Sequence, residues 1–194
     1  MMIPAGTAFL DDLTAEAAEL AGPGHWQTGQ LGSAHFTVRA LEGYRAEVPP
    51  DDPAVPRYLS AMQRAGSGPF RMRVTGLTLT AGSVMASAEA VDSAADEFMD
   101  RLNEELGPDG WYERPHGRRD IWYSNLLHFT GDIPEPTKLI EWVAERRTLE
   151  LDELVVPAAQ LVRFRLAGGD RPHMHPEPID GYPQGSEIPE TSSQ

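Results

Sequence analysis

The sequence predicts an α+β fold in which helices and strands alternate through two similar halves. Three observations carry that expectation. Apolar residues recur at helical spacing in four segments and alternate with polar ones in five others. A His-Phe-Thr triplet stands in a strand-like run of each half, at His35-Phe36-Thr37 and at His128-Phe129-Thr130. The 194 residues, 40% hydrophobic and 24% charged, suffice for one full core shared by two lobes.

Each element has its own local reason. In 8–20, Leu10, Leu13, Ala17 and Leu20 keep a helical stripe and Gly22 stops it. A Gly/Gln-rich turn leads into a strand over 33–41. The helix over 53–65 opens with Pro53, carries Tyr58, Leu59 and Met62, and ends at Gly66. Strands over 70–80 and 84–91 form a hairpin through Ala81-Gly82-Ser83, and Gly76 marks a bulge between Val74 and Leu77. Asp92 or Ser93 caps a helix to 106 whose stripe is Phe98, Leu102 and Leu106, and Gly107-Pro108 closes it. After a polar loop at 108–119 comes a strand over 121–130. Thr137 caps a last helix to 147, with Leu139, Ile140 and Val143 inward. The last strand is 160–166, where Leu161, Val162, Phe164 and Leu166 alternate with Arg163 and Arg165. Residues 1–167 make one domain. From Gly168 to Gln194, Pro, Gly, Ser and acids leave little to bury, and a disordered tail is expected.

Composition narrows the function. No cysteine is present, so disulfides, Cys-ligated zinc and thiol nucleophiles are excluded. No apolar run is long enough to span a membrane, the first ten residues lack the pattern of a signal peptide, and a cytoplasmic monomer is expected. With 16 Lys and Arg against 30 Asp and Glu, the net charge of −14 disfavours long nucleic acids, which are held by phosphate neutralisation. A small nucleotide or an RNA end is compatible, because a local basic pocket overrides the global field.

The triplets carry the chemistry. On a strand, His35 and Thr37 share one face and Phe36 takes the other, and the same holds for His128, Phe129 and Thr130. Two histidines and two hydroxyls suit in-line displacement at phosphorus. One neutral imidazole accepts a proton from the attacking oxygen and a protonated one donates to the leaving oxygen. Thr37 and Thr130 would donate hydrogen bonds to the non-bridging oxygens. This scheme needs neither metal nor cofactor, and none is expected; His173-Met174-His175 lacks the rigid scaffold of a metal site.

Two His-x-Thr triplets on strands about a hundred residues apart resemble the 2H phosphoesterase superfamily, which includes the 2′–5′ RNA ligase-like (LigT-like) proteins and cyclic nucleotide phosphodiesterases. The run Phe70-Arg71-Met72-Arg73-Val74-Thr75-Gly76-Leu77, its hairpin and the helix over 93–106 are similar to the segment between that family's motifs. The resemblance covers about residues 30–167. It implies a duplicated two-lobed sandwich, with antiparallel sheets around a central cleft and helices outside. It also implies metal-independent cleavage of a 2′,3′-cyclic phosphate or a related RNA-end phosphodiester. The second triplet departs from the family's pattern, because Gly131 stands where a hydrophobic residue is usual.

Further candidates have plain alternatives. Arg39 shares the face of His35 and could steer a phosphate or form a surface salt bridge. Tyr44 and Tyr123 could stack a base or simply pack. Arg118 and Arg119 precede the second triplet's strand and could bind a nucleotide's other phosphates or form a solvated turn. Two rival functions stand beside the enzyme: a nucleotide- or RNA-end-binding protein on the same scaffold, and an unrelated α+β interaction protein whose two histidines lie far apart.

Overall fold

Phe70, Met72, Val74 and Leu77 are buried while the residues between them carry charge or hydroxyls, and this alternation makes β3 the longest strand of the computed structural model. The structure describes residues 1–117, 119–149, 151 and 153–179. In order, the elements are β1 (Met2–Pro4), α1 (Ala8–Ala21), β2 (His35–Thr37), α2 (Ala54–Ala65), β3 (Phe70–Leu79) and β4 (Ser83–Ala90), followed by α3 (Ala94–Leu106) and β5 (Trp122–His128). The chain continues through α4 (Pro136–Glu145), β6 (Leu154–Val156), β7 (Val162–Ala167) and β8 (His173–Pro178). The fold is α+β, and every strand pairing is antiparallel.

The central sheet runs β5-β4-β3-β6. Helix α3 lies across β3 and β4, α1 against β5, and α4 against both α1 and β3. The Phe70 and Phe98 rings, 5.3 Å apart, pin α3 to the sheet. Thr7 caps α1 by accepting the Leu10 N–H at 3.2 Å, and Gly22 ends it at φ 88°. Two further pairs, β1-β2 and β7-β8, are linked through Met2, which exchanges both backbone hydrogen bonds with Gln160 just before β7.

The edge of β3 beyond β6 is covered rather than left open. Leu77 N–H donates to Arg146 O at 2.8 Å, and Leu149 N–H donates to Thr75 O at 2.9 Å. A Cβ at position 76 would collide with Arg147 O, so glycine is what lets this segment approach. The register of β3 on β4 shifts between Val74 and Gly76, as the bulge reading requires.

Several boundaries differ from expectation. The strand expected over 33–41 is regular only at His35–Thr37. The one expected to reach 130 stops at His128. Helix α4 starts at Pro136 with Glu135 in the cap position, not at a Thr137 cap, and Ile140 is 52% exposed while Trp142 takes the inward place. The tail does not lose its order at Gly168: β8 pairs with β7 from Ala167↔His173 to Val162↔Pro178. Met174, Pro176 and Pro178 occupy one face of β8, and proline is tolerated there because β8 has no second strand partner. Residues 180–194 of the expected tail lie outside the described residues.

Candidate functional site

Strand β2 packs beside β5, and this places His35 and His128 on neighbouring elements. The His35 N–H donates to the hydroxyl of Ser124, a fully buried β5 residue, at 3.2 Å. The charge of His128 bears directly on His35. Phe36 is fully buried opposite Ile3, so the core face of β2 holds the strand while His35 and Thr37 point the other way.

His35 is 9% exposed and its Nδ1 lies 2.7 Å from Ser33 O. A carbonyl only accepts, so Nδ1 carries the hydrogen and Nε2 keeps a lone pair. Burial pushes the imidazole from its usual range down to about 4; the Ser33 contact works against that shift, and the charges of His128 and Arg119 add to it. His35 is therefore neutral at pH 7. His128 is half-buried, and burial lowers its pKa too.

A register fault decides where His128 points. Met85 pairs with Asn125 and Val84 with Leu127, leaving Leu126 as an extra residue in β5. Paired residues share a face, so Leu127 joins Val84 in the core and His128, opposite Ser83, falls on the side of Met85, Asn125 and Tyr123. Strict alternation would have turned His128 inward with Trp122 and Ser124. Its backbone is fixed by Trp26, which exchanges hydrogen bonds of 2.8 and 3.0 Å with it and lays its ring 6.2 Å from the imidazole. Gly29 N–H donates to Leu126 O at 2.9 Å, which seats segment 26–29 along the edge of β5.

The two threonines have unequal standing. Thr37 is half-buried on β2, and its hydroxyl makes no hydrogen bond among the described residues. Thr130 lies beyond the strand end and is exposed. Its hydroxyl donates to Gly24 O at 2.8 Å, and its N–H donates to Nδ1 of buried His25 at 3.1 Å. The two hydroxyls expected to match therefore differ: that of Thr130 is engaged by Gly24 O because the chain bends after His128, and that of Thr37 makes no such bond among the described residues. On the phosphoryl-transfer reading expected from the sequence, Thr37→Val lowers turnover about 10- to 100-fold with folding intact. Thr130→Val is expected to cost about 1 kcal/mol of stability and leave the rate within a few-fold. Steady-state kinetics beside urea titrations separates the two.

The basic candidates are arranged by one carboxylate. Glu113, in the loop after α3, accepts from Arg119 at 2.5 Å and sits 3.7 Å from Arg39 Nε. Arg39 also donates to Gly110 O at 3.0 Å. Arg39 is therefore buried against the 107–116 loop, neither open to a phosphate nor in the surface salt bridge expected as the alternative. Arg119 reaches the Tyr123 hydroxyl at 3.3 Å, and its charge is felt at His35. Tyr123 shares the face of His128, whereas Tyr44 is 93% exposed and stacks on nothing among the described residues. Arg118 lies outside the described residues.

A cavity of about 480 Å³ opens beside Tyr123 on the sheet. Neither histidine lines it, and Glu89, Asp96 and Asp120 give it the wrong charge for a phosphate. Among the described residues no group of three or more His, Asp or Glu side chains is placed to hold a metal ion. His25 and Trp26 were missed by the sequence reading. No periodicity marks them, because Trp26 pairs with β5 through its backbone and His25 serves the strand end by accepting the Thr130 N–H at Nδ1.

No protein-family model matches the chain, and no curated protein does. Among solved structures it is similar to the crystal structure of TT0787 of Thermus thermophilus, with a TM-score of 0.61 and 17% identity over 90% of this chain and 92% of that one. At that identity the likeness is one of fold.

Proposed function

We propose that this chain is a metal-independent phosphodiesterase of the 2H, LigT-like type, acting on a 2′,3′-cyclic phosphate or a related RNA-end phosphodiester. The observation that carries the reading is the pair of half- to fully-buried histidines from the two triplets, set on the adjoining elements β2 and β5 with Thr37 alongside. The duplicated two-lobed arrangement belongs to the same proposal.

His35 takes the base role. Its Nδ1–H is spent on Ser33 O and its ring is neutral, so Nε2 can accept the proton of an attacking water. The water oxygen bonds to phosphorus and one cyclic P–O bond breaks. His128, protonated once the anionic substrate is beside it, gives its proton to the departing ribose oxygen. Thr37 and Arg119 face the charge that gathers on the non-bridging oxygens.

A second reading, a nucleotide- or RNA-end-binding protein with little or no catalysis, is favoured by Thr130, whose hydroxyl is spent on Gly24 O. A panel of 2′,3′-cyclic nucleotides, ADP-ribose cyclic phosphate and 2′–5′-linked oligonucleotides decides between them, with the position of the product phosphate determined. Turnover that persists in EDTA supports the phosphodiesterase. Binding of a 2′- or 3′-nucleotide with no turnover supports the binding protein, and activity abolished by EDTA rejects the metal-independent mechanism.

A further inference from the structure

The β7–β8 hairpin lies beyond both triplets, yet it makes the closest ring contact that His35 has. The Phe164 ring sits 4.6 Å from the imidazole at an interplanar angle of 36°. The pairing Phe164↔Pro176 and Leu166↔Met174 puts an apolar row on that side of the hairpin. Arg163, Arg165, His175 and Glu177 pair with one another on the opposite side. The hairpin therefore shows His35 hydrocarbon only, although charged residues alternate along both of its strands. Gln27 N–H donates to Pro172 O at 2.7 Å and ties the turn end of the hairpin to the rest of the fold, and the Met2–Gln160 pairing ties its open end.

We propose that Phe164 is a positioning residue for His35: between Phe164 on one side and the Ser33 carbonyl at Nδ1, the imidazole is held in one orientation, shielded from water, with Nε2 as its available nitrogen. This deepens the phosphodiesterase reading and rests on it for its catalytic meaning. The physical consequence is separable from catalysis. Burial disfavours the charged ring, and the aromatic ring packed against it also offers a weak cation–π attraction of opposite sign. At His35 burial, aided by the neighbouring positive charges, lowers the pKa. The charged or titratable groups facing His35 from other elements are His128 on β5, Arg119 before β5, and the amine of Met1 beside β1; none belongs to the hairpin.

The experiment is an NMR pH titration of the histidine side chains in the full-length protein, without substrate, for wild type, Phe164→Ala and Phe164→Leu. Phe164→Ala is expected to raise the His35 pKa by about one unit or more, with His128 little changed, and Phe164→Leu by less, because leucine still excludes water. If the alanine variant does not fold, the leucine variant decides. A His35 pKa unmoved in the folded variants overturns the inference. Where a substrate is turned over, the acid limb of kcat/KM moves up by the same amount while activity at high pH is nearly retained. A shifted pKa with no substrate ever turned over sinks the phosphodiesterase reading and leaves the clamp standing. An unshifted pKa in an active enzyme sinks only the clamp.

Discussion

His35→Asn is expected to lower turnover of a 2′,3′-cyclic phosphate by roughly 10³-fold or more, and His128→Asn by a similar factor. Asparagine fills much of the same space and can still donate to Ser33 O, so the loss reports proton transfer rather than a hole in the core. The double variant should be scarcely worse than either single one, because base and acid act in one step. The wild-type pH profile carries a signature as well. With its pKa near 4, His35 is in the base form over most of the accessible range, so the acid limb of kcat/KM lies near pH 4, while the alkaline limb follows loss of the proton from His128, whose pKa burial lowers. The same shift couples to stability. The folded pKa lies below the unfolded one, so the unfolded chain binds the proton more readily, and stability is lost as pH falls from about 6.5 through about 4. The loss is roughly 3 kcal/mol for this group. Urea midpoints of wild type and His35→Asn should therefore differ in slope between pH 7 and pH 4, with the variant the flatter of the two. Parallel slopes, or full activity in either single variant, would refute the assignment.

Gly29→Ala is expected to damage the fold and the candidate site together. A Cβ at that position would stand 2.8 Å from Leu126 Cα and closer still to Thr14 Oγ1, so helix α1 and strand β5 block it on two sides. Thr14 is not free to swing away, because its hydroxyl donates to Leu10 O at 2.7 Å. Relief requires the backbone to move, and a cost of roughly 3 kcal/mol is expected. The strain falls where segment 26–29 runs along β5, so the Trp26–His128 pairing and the rate should suffer together. Gly131→Ala is the control. No atom lies within 4 Å of a Cβ there, and a change within about 0.5 kcal/mol is expected. Urea denaturation of both variants checks this, and an unchanged midpoint for Gly29→Ala would mean that the segment does not sit on β5.

Much of this protein could be read from its chain. Helices α1, α2 and α3 begin and end within a residue or so of the positions set by their apolar stripes and glycine stops, because those signals are local. The β3–β4 hairpin and the bulge at Gly76 were legible for the same reason. Short strands were not. Met2–Pro4 and Leu154–Val156 are three residues each, too short for a period; the first pairs with the equally short β2 and the second with the open edge of the long β3. In β8 the alternation of Met174, Pro176 and Pro178 was hidden by prolines that argue against a strand unless it lies at an edge.

The candidate site divides along the same line. The sequence by itself determined the residue types and spacing: two His-Phe-Thr triplets whose histidines lie on two strands, with Phe36 as the buried anchor of the first. Only the tertiary structure decided how those residues are used. The extra residue at Leu126 turns His128 to the open face of the sheet, and Gly24 takes the Thr130 hydroxyl. Glu113 gathers Arg39 and Arg119, and Phe164 arrives from beyond the repeat to cover His35. The physical reason is that strand alternation acts between neighbours in the chain. Register shifts, burial and hydrogen-bond competition are set by whichever distant backbone comes to lie alongside.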